Sequence, residues 1–314
     1  MRRYILRRVL YVIPVLFFVT IIVFSLINLI PGDPIKLIYS IQGTAEKIEL
    51  ARARLNLDKP LIVRYGLWIK DLSRGDLGES LRSSEKVLPI VMRKLGPTLI
   101  LTISSLFISI ILSIILGVIA AARRNTMTDF GVMGLAIFGI SIPVFWMGLL
   151  VVLLFSVYWK ILPSMGYKSF LETPVEAFRH LTLPALTLGF ALAGYTTRMT
   201  RSQMIDVLNQ DYIRTARAKG VKESLVIYKH ALKNALIPVV TAVGLQVGFL
   251  MGGAVLIEEI FNWPGIGKLL VQSILNRDYT MIQGVTLVIA IIFVFINLLV
   301  DIIYAFLNPK IRYQ

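Results

Sequence analysis

Six apolar runs, each bounded by charged or helix-breaking residues, set what this chain of 314 residues can become. They are Val9 to Ile30, Thr98 to Ala122, Gly131 to Tyr158, the shorter Leu181 to Thr197, Leu236 to Ile257 and Gly284 to Leu307. Roughly twenty apolar residues in a row suffice to cross a hydrocarbon core as a helix, which pairs its backbone polar groups within the segment. With 56% hydrophobic residues, 16% charged and a mean hydropathy of +0.76, the composition agrees. The sequence therefore predicts an all-α membrane protein of six transmembrane helices.

Charge sets the orientation. Arg2, Arg3, Arg7 and Arg8 precede the first run, which is too long for a signal-peptide core and lacks a small-residue cleavage site. It reads as a retained first helix with its amino end in the cytoplasm, and six spans return the other terminus to the same side. On that topology the cytoplasmic segments 1–8, 123–130, 198–235 and 308–314 hold sixteen Lys/Arg and four Asp/Glu, whereas the outer segments hold seventeen and thirteen over about twice the length. The net charge of +15 thus marks orientation and contact with anionic lipid, not nucleic acid, because the basic residues cluster beside apolar spans. No cysteine is present, which excludes disulfides, thiolate nucleophiles and Cys-based metal sites.

Pro31-Gly32-Asp33-Pro34 breaks the first helix, and the following segment to residue 97 is the only sizeable soluble stretch. Ala45 to Leu55 reads as helical, with Glu49 and Arg52 or Glu46 and Arg54 as surface partners, and Gly75-Asp76-Leu77-Gly78 as a turn. The expected organisation is a first helix plus small extracytoplasmic subdomain over 1–97, a five-helix core over 98–307 with a cytoplasmic loop at 201–235, and a tail at 308–314.

Within that loop, Asp-Tyr-Ile-Arg-Thr-Ala-Arg-Ala-Lys-Gly (211–220) predicts a short exposed helix. Asp211 is placed to cap its free N–H groups, Arg217 and Lys219 favour the dipole in the last turn, and Gly220 supplies a left-handed stop. Two turns are about 12–14 Å long, too short to cross a bilayer. From composition alone, a peg docking on a cytosolic partner and a basic helix resting on anionic lipid are equally supported.

The spacing beyond Gly220 brings in a resemblance. Membrane subunits of ABC importers carry Glu-Ala-Ala, three residues, Gly, nine residues and Ile-x-Leu-Pro; here Arg214-Thr215-Ala216 and His230-Ala231-Leu232-Lys233 occupy those places, and only Ala216, Gly220 and Leu232 match the general form. The departures are those of one subfamily. Arg-Thr-Ala-Arg-Ala-Lys-Gly, His-Ala-Leu-Lys-Asn-Ala-Leu-Ile-Pro (230–238), Gly-Gly-Ala-Val (252–255), Phe-x-Trp-Pro-Gly-x-Gly (261–267) and Asn-Pro-Lys-Ile-Arg (308–312) resemble the dipeptide/oligopeptide/nickel permeases.

The resemblance implies a permease subunit in the inner membrane, with importer cargo such as short peptides, nickel chelates or glutathione. It implies a second, similar permease, two ATPase subunits that bind the ATP, a substrate-binding protein outside, and no cofactor in this chain. Residues 211–224 become a coupling helix, with Asp211, Arg214, Thr215, Ala216, Arg217, Lys219 and Gly220 as the coupling residues.

Other polar or small residues within the spans are candidates for the translocation path or for helix packing. Gly244, Gly248 and Gly252 recur every fourth residue, so one helix face is bare backbone that a neighbour approaches closely. Gln246 needs protein or water around it. Asn297 and Asp301 share a face near the inner end of the last span, where Asp301 is expected to be solvated or paired with a basic coupling residue. Glu258 and Glu259 are expected at a solvated headgroup level. Enzyme motifs fail: Gly265-Ile-Gly267-Lys268 is followed by Leu269 where a phosphate loop needs Ser or Thr, no HExxH exists, and both histidines lie outside the spans.

Overall fold

The computed structural model describes residues 2–29, 49, 52 and 56–307. The expected helix at Ala45 to Leu55, except Glu49 and Arg52, lies outside the described residues, as do the Pro31-Gly32-Asp33-Pro34 break and the tail 308–314. Among the described residues every regular element is a helix, and an isolated bridge joins Glu79 to Lys86.

In chain order the helices are α1 (Arg2–Leu29), α2 (Leu61–Ser73), α3 (Val87–Ala122), α4 (Met127–Ser141) and α5 (Val144–Val152), which runs on as a π-helical stretch Leu153–Tyr158. Then come α6 (Pro174–Leu208), α7 (Asp211–Ala218), α8 (Leu232–Ile260), α9 (Ile266–Leu275) and α10 (Tyr279–Leu307). A helical turn at Glu223–Leu225 and a π-helical stretch Val226–Ala231 lead into α8.

By length and apolar composition three helices qualify as spans, in α1, α3 and α10, and α4 with α5 makes a fourth. That third run does not cross straight: α4 and α5 are bent by 107°. Pro143 is the cause, since it disfavours helical geometry at the residue before it, and Ile142 is extended at φ −83°, ψ 130°. α6 and α8 supply the other two expected spans. Their 35 and 29 residues reach about 52 and 43 Å, beyond the ~30 Å core.

The chain divides into two compact units. One comprises Pro97–Pro264 and Ile296–Gln314, the other Arg2–Gly96 and Gly265–Phe295.

In the first unit α6 is the central helix, packed on α4, α5 and α8. Small residues allow it: a Cβ on Gly189 would stand 2.9 Å from the Ser105 carbonyl of α3, and one on Gly194 would stand 2.5 Å from the Ala136 carbonyl of α4. Where lipid gives no hydrophobic drive between helices, such close backbone approach is what holds them together. Two apolar clusters result. One gathers Leu101, Leu183, Leu250, Ile257, Phe261 and Trp263, with Tyr167 edge-on to Trp263 at 4.9 Å. The other gathers Val118, Ala121, Met204, Val207, Ile213, Val226, Ala231 and Ala235.

In the second unit α2 lies on α1, through Thr20 and Tyr65 (2.8 Å between hydroxyls) and through Phe24 against Tyr65 and Trp68. The Gly75–Gly78 turn forms as expected, with both glycines left-handed (φ +76° and +84°) and the Gly78 N–H donating to Asp76 Oδ1. The loop after it is pinned by the buried Asp278, which caps α10 by accepting from the Met281 N–H (3.1 Å) and also accepts from Ser80 Oγ (2.5 Å) and the Leu81 N–H (3.3 Å).

Candidate coupling site and membrane path

α7 is a short helix with one anchored side. Of its eight residues Ile213 alone is buried, at 0% exposure, inside the second cluster of the first unit. That cluster takes Val118 and Ala121 from α3, Met204 and Val207 from α6, and Ala235 from α8, so one side chain touches the packing of three long helices. Ala216 sits half-buried against the same cluster one turn on. Asp211, Arg214, Thr215, Arg217 and Lys219 are exposed.

The ends of α7 depart in one respect from expectation. Asp211 does not cap it: Gln210 holds the extended cap conformation (φ −75°, ψ 153°), and Asp211, the first helical residue, lies 3.5 Å from Arg214. Its charge still favours the amino end of the dipole. At the other end the Gly220 N–H donates to the Arg217 carbonyl (2.9 Å) and the Val221 N–H to the Ala216 carbonyl (3.2 Å), with Gly220 at φ +75°. This is a Schellman stop, and Val221 packs on the cluster beyond it.

Two side chains of α7, Tyr212 and Arg217, fix it to the segment after it. Asn234 Nδ2 donates to the Tyr212 hydroxyl (2.8 Å), and that hydroxyl donates to the His230 carbonyl (3.3 Å). Arg217 makes two bonds to Glu223, 3.1 Å from Nε and 2.7 Å from Nη2. The guanidinium holds the Glu223 carboxyl below its ordinary range, and the carboxylate raises Arg217 in turn. The basic face is accordingly narrower than the sequence suggests: Arg217 is held by two bonds to Glu223, while Arg214, only loosely paired with Asp211, and Lys219 are presented outward.

The membrane-path candidates separate. Gly244 is a packing position, since a Cβ there would collide with Val300 of α10. Gln246 faces protein: its Oε1 accepts from Thr196 Oγ1 (3.1 Å) and its Nε2 donates to the Leu192 carbonyl (3.3 Å), tying α8 to α6. The surroundings of Gly248 and Gly252 lie outside the described residues, although both fall within α8. Asn297 and Asp301 are half-buried, one turn apart on α10.

Glu258 overturns its expectation. It is fully buried, not solvated, and accepts from Thr98 Oγ1 at 2.6 Å. The chain folds back over the end of α8: the Trp263 N–H donates to the Glu258 carbonyl (2.7 Å) and Trp263 Nε1 to the Pro97 carbonyl (2.9 Å), which closes the site off from water. A second acid is also buried in this unit. Asp129 on α4 is 2% exposed and takes both Nε and Nη2 of Arg201 on α6 at 2.6 Å, with a third bond from the Asn125 N–H (2.9 Å). No local pattern announces a pair 72 residues apart; the nearest signal is an acid in the short segment that follows the Arg123-Arg124 stop.

Comparison with known proteins bears on this geometry. Residues 113–313 match the family described as binding-protein-dependent transport system inner membrane component, and residues 1–102 match its N-terminal component. The chain belongs to this family of ABC importer permeases. Within it the dipeptide/oligopeptide/nickel branch is the one it resembles throughout, and the permease is a transport subunit rather than an enzyme. It is 45% identical, over 100% of both chains, to the glutathione transport system permease protein GsiC of Escherichia coli O6:H1 and of Salmonella choleraesuis. Two inward-facing crystal forms of the MetNI methionine ABC transporter share its fold. They have TM-scores of 0.59 and 0.58 at 20% and 18% identity, over 70% of this chain and 97% and 96% of theirs. The permease is a multi-pass membrane protein of the type I importer fold.

Proposed function

We propose that this permease forms the import path for short peptides together with a second, similar permease. Two ATPase subunits in the cytoplasm would drive it and an outer binding protein would deliver the cargo. Both termini and α7 are cytoplasmic in this reading, residues 1–97 and 98–307 act as the outer-subdomain and core portions, and 201–235 is the coupling loop. The observation that carries it is α7, exposed along its docking face yet plugged by Ile213 into a cluster drawn from α3, α6 and α8. Closure of the ATPases displaces α7; the cluster passes the displacement to three spans, and alternating access follows. Arg214 and Lys219 provide the charge for an acidic groove, Ala216 the close approach, and Gly220 the stop. Gln246, Asn297 and Asp301, with Gly244, Gly248 and Gly252, are the residues along or beside the path.

Glutathione, a tripeptide, is the first cargo to test, given the 45% identity to glutathione permeases. The complex co-purified with its ATPases and binding protein is reconstituted in lipid, and ATP hydrolysis is measured with dipeptides, glutathione, longer peptides and a nickel chelate. Stimulation by peptides supports the reading, stimulation by nickel chelate alone overturns the cargo, and failure to co-purify with ATPases overturns the assignment of α7.

A further inference from the structure

Among the described residues α2 meets α1 along one side. Tyr65 and Trp68 meet Phe24 of α1 with ring centroids 5.3 and 5.7 Å apart, the Tyr65 hydroxyl bonds Thr20, and the Arg64 guanidinium lies 6.0 Å from the centre of the Phe24 ring. No residue of α2 is buried. Its first turn instead offers three aliphatic side chains in a row, Leu61, Ile62 and Val63, at 55, 86 and 46% exposure. Its far end is polar, with Lys70, Asp71, Ser73 and Arg74 exposed.

The contacts also set a level. The apolar span in α1 is Arg7–Ser25, and Thr20 precedes its end by five residues, about 7.5 Å along the axis. Phe24 is within the last turn of the same run. A helix held by Tyr and Trp at that height sits where such rings favour the membrane–water boundary, and aliphatic groups at its end meet acyl chains. Burial pulls Arg64 below its ordinary range, as expected for a guanidinium whose stem crosses apolar surface.

We infer that α2 is an interfacial helix that lowers Leu61, Ile62 and Val63 into the outer leaflet of the bilayer, with lipid acyl chains as the occupant of this face. Its first turn anchors the outer subdomain to the membrane beside α1, and its Lys70 end rises toward water. The choice of leaflet rests on the topology proposed above; insertion into lipid does not.

The chain has no cysteine, so Ile62→Cys and Lys70→Cys each give a single spin-label position in the full transporter assembled with cysteine-free partner subunits. In phosphatidylethanolamine/phosphatidylglycerol vesicles the label at 62 should collide several-fold more with molecular oxygen than with water-soluble nickel ethylenediaminediacetate, and the label at 70 should do the reverse. Equal nickel access at both positions overturns the inference, because it places the first turn in water. Low access to both probes at 62 overturns it too, because protein then covers that face. Labelling of Lys70→Cys by a membrane-impermeant maleimide on intact cells reads the side separately: its failure there, with efficient labelling in lysed cells, overturns the outer-leaflet assignment and the topology together while the vesicle result stands.

Discussion

Ile213 is the one buried side chain of the exposed basic helix α7, and in the proposed mechanism it is the point through which force would pass. Truncating it removes the plug: Ile213→Ala should cost about 2–5 kcal/mol in local packing and abolish cargo-stimulated ATP hydrolysis in lipid, whereas Ile213→Val retains most of it. Unchanged stimulation in the alanine variant would mean force travels by another route. Gly220 makes a sharper test, because a Cβ there meets nothing within 4 Å and the penalty is purely conformational. Gly220→Asn should be tolerated and Gly220→Val should lose about 1–3 kcal/mol and the stimulation with it; equal activity of the two would remove the Schellman stop from the mechanism. Glu223 should matter little. Its pair with Arg217 is half-exposed and worth on the order of 0.2–1 kcal/mol. With the carboxyl depressed below its ordinary 4.5, that contribution is complete above this value and fades only as pH falls through the lowered one, so the small deficit of Glu223→Gln against the parent in cargo-stimulated ATP hydrolysis should stay constant from about pH 6 to 8. At this scale the sequence was readable wherever the signal was local. Gly220 and the exposed cations followed from spacing, while the cap fell one residue before Asp211, since helix ends are set by dihedrals that composition constrains only loosely.

Elements were legible in number but not in shape. Pro143 is visible inside an apolar run and breaks the helix at Ile142, yet an X-Pro break by itself does not announce a bend as large as the 107° between α4 and α5. Likewise the run Leu181 to Thr197 marks only the apolar middle of α6, which continues as helix through polar residues at both ends, from Pro174 to Leu208. The Asp129–Arg201 pair joins α4 to α6 where this packing begins, and its energetics follow from burial. Asp129→Asn leaves a guanidinium without its counter-charge and should destabilise by about 3–5 kcal/mol, whereas the double change Asp129→Leu with Arg201→Met should recover most of the loss, read as thermal unfolding of the purified complex. A double variant no better than the single one would show that the pair fixes geometry rather than merely neutralising itself. Gly194→Val should be equally telling. Its side chain would drive into the Ala136 carbonyl, costing about 1–3 kcal/mol and loosening α4 from α6.

For the molecule as a whole, hydropathy revealed the membrane class, because it depends on a sum over many residues; the charge sum proposes an orientation in the same way. Pairings across the chain stayed hidden, since nothing near Ser80 in sequence hints at Asp278, nor near Thr98 at Glu258. The orientation is checked by single cysteines at Arg124 and Lys268: impermeant maleimide should label the second and spare the first in intact cells, and the reverse pattern would invert the topology. The clasp of Ser80 on Asp278 has a temporal consequence. The ribosome must add 198 more residues before the loop's partner exists, which at roughly 5–20 residues per second takes about 10–40 s. Throughout that wait the newborn loop stands unclasped, so any quality-control factor on its side of the membrane meets it half-made, and a truncation anywhere short of residue 278 exposes the same surface permanently.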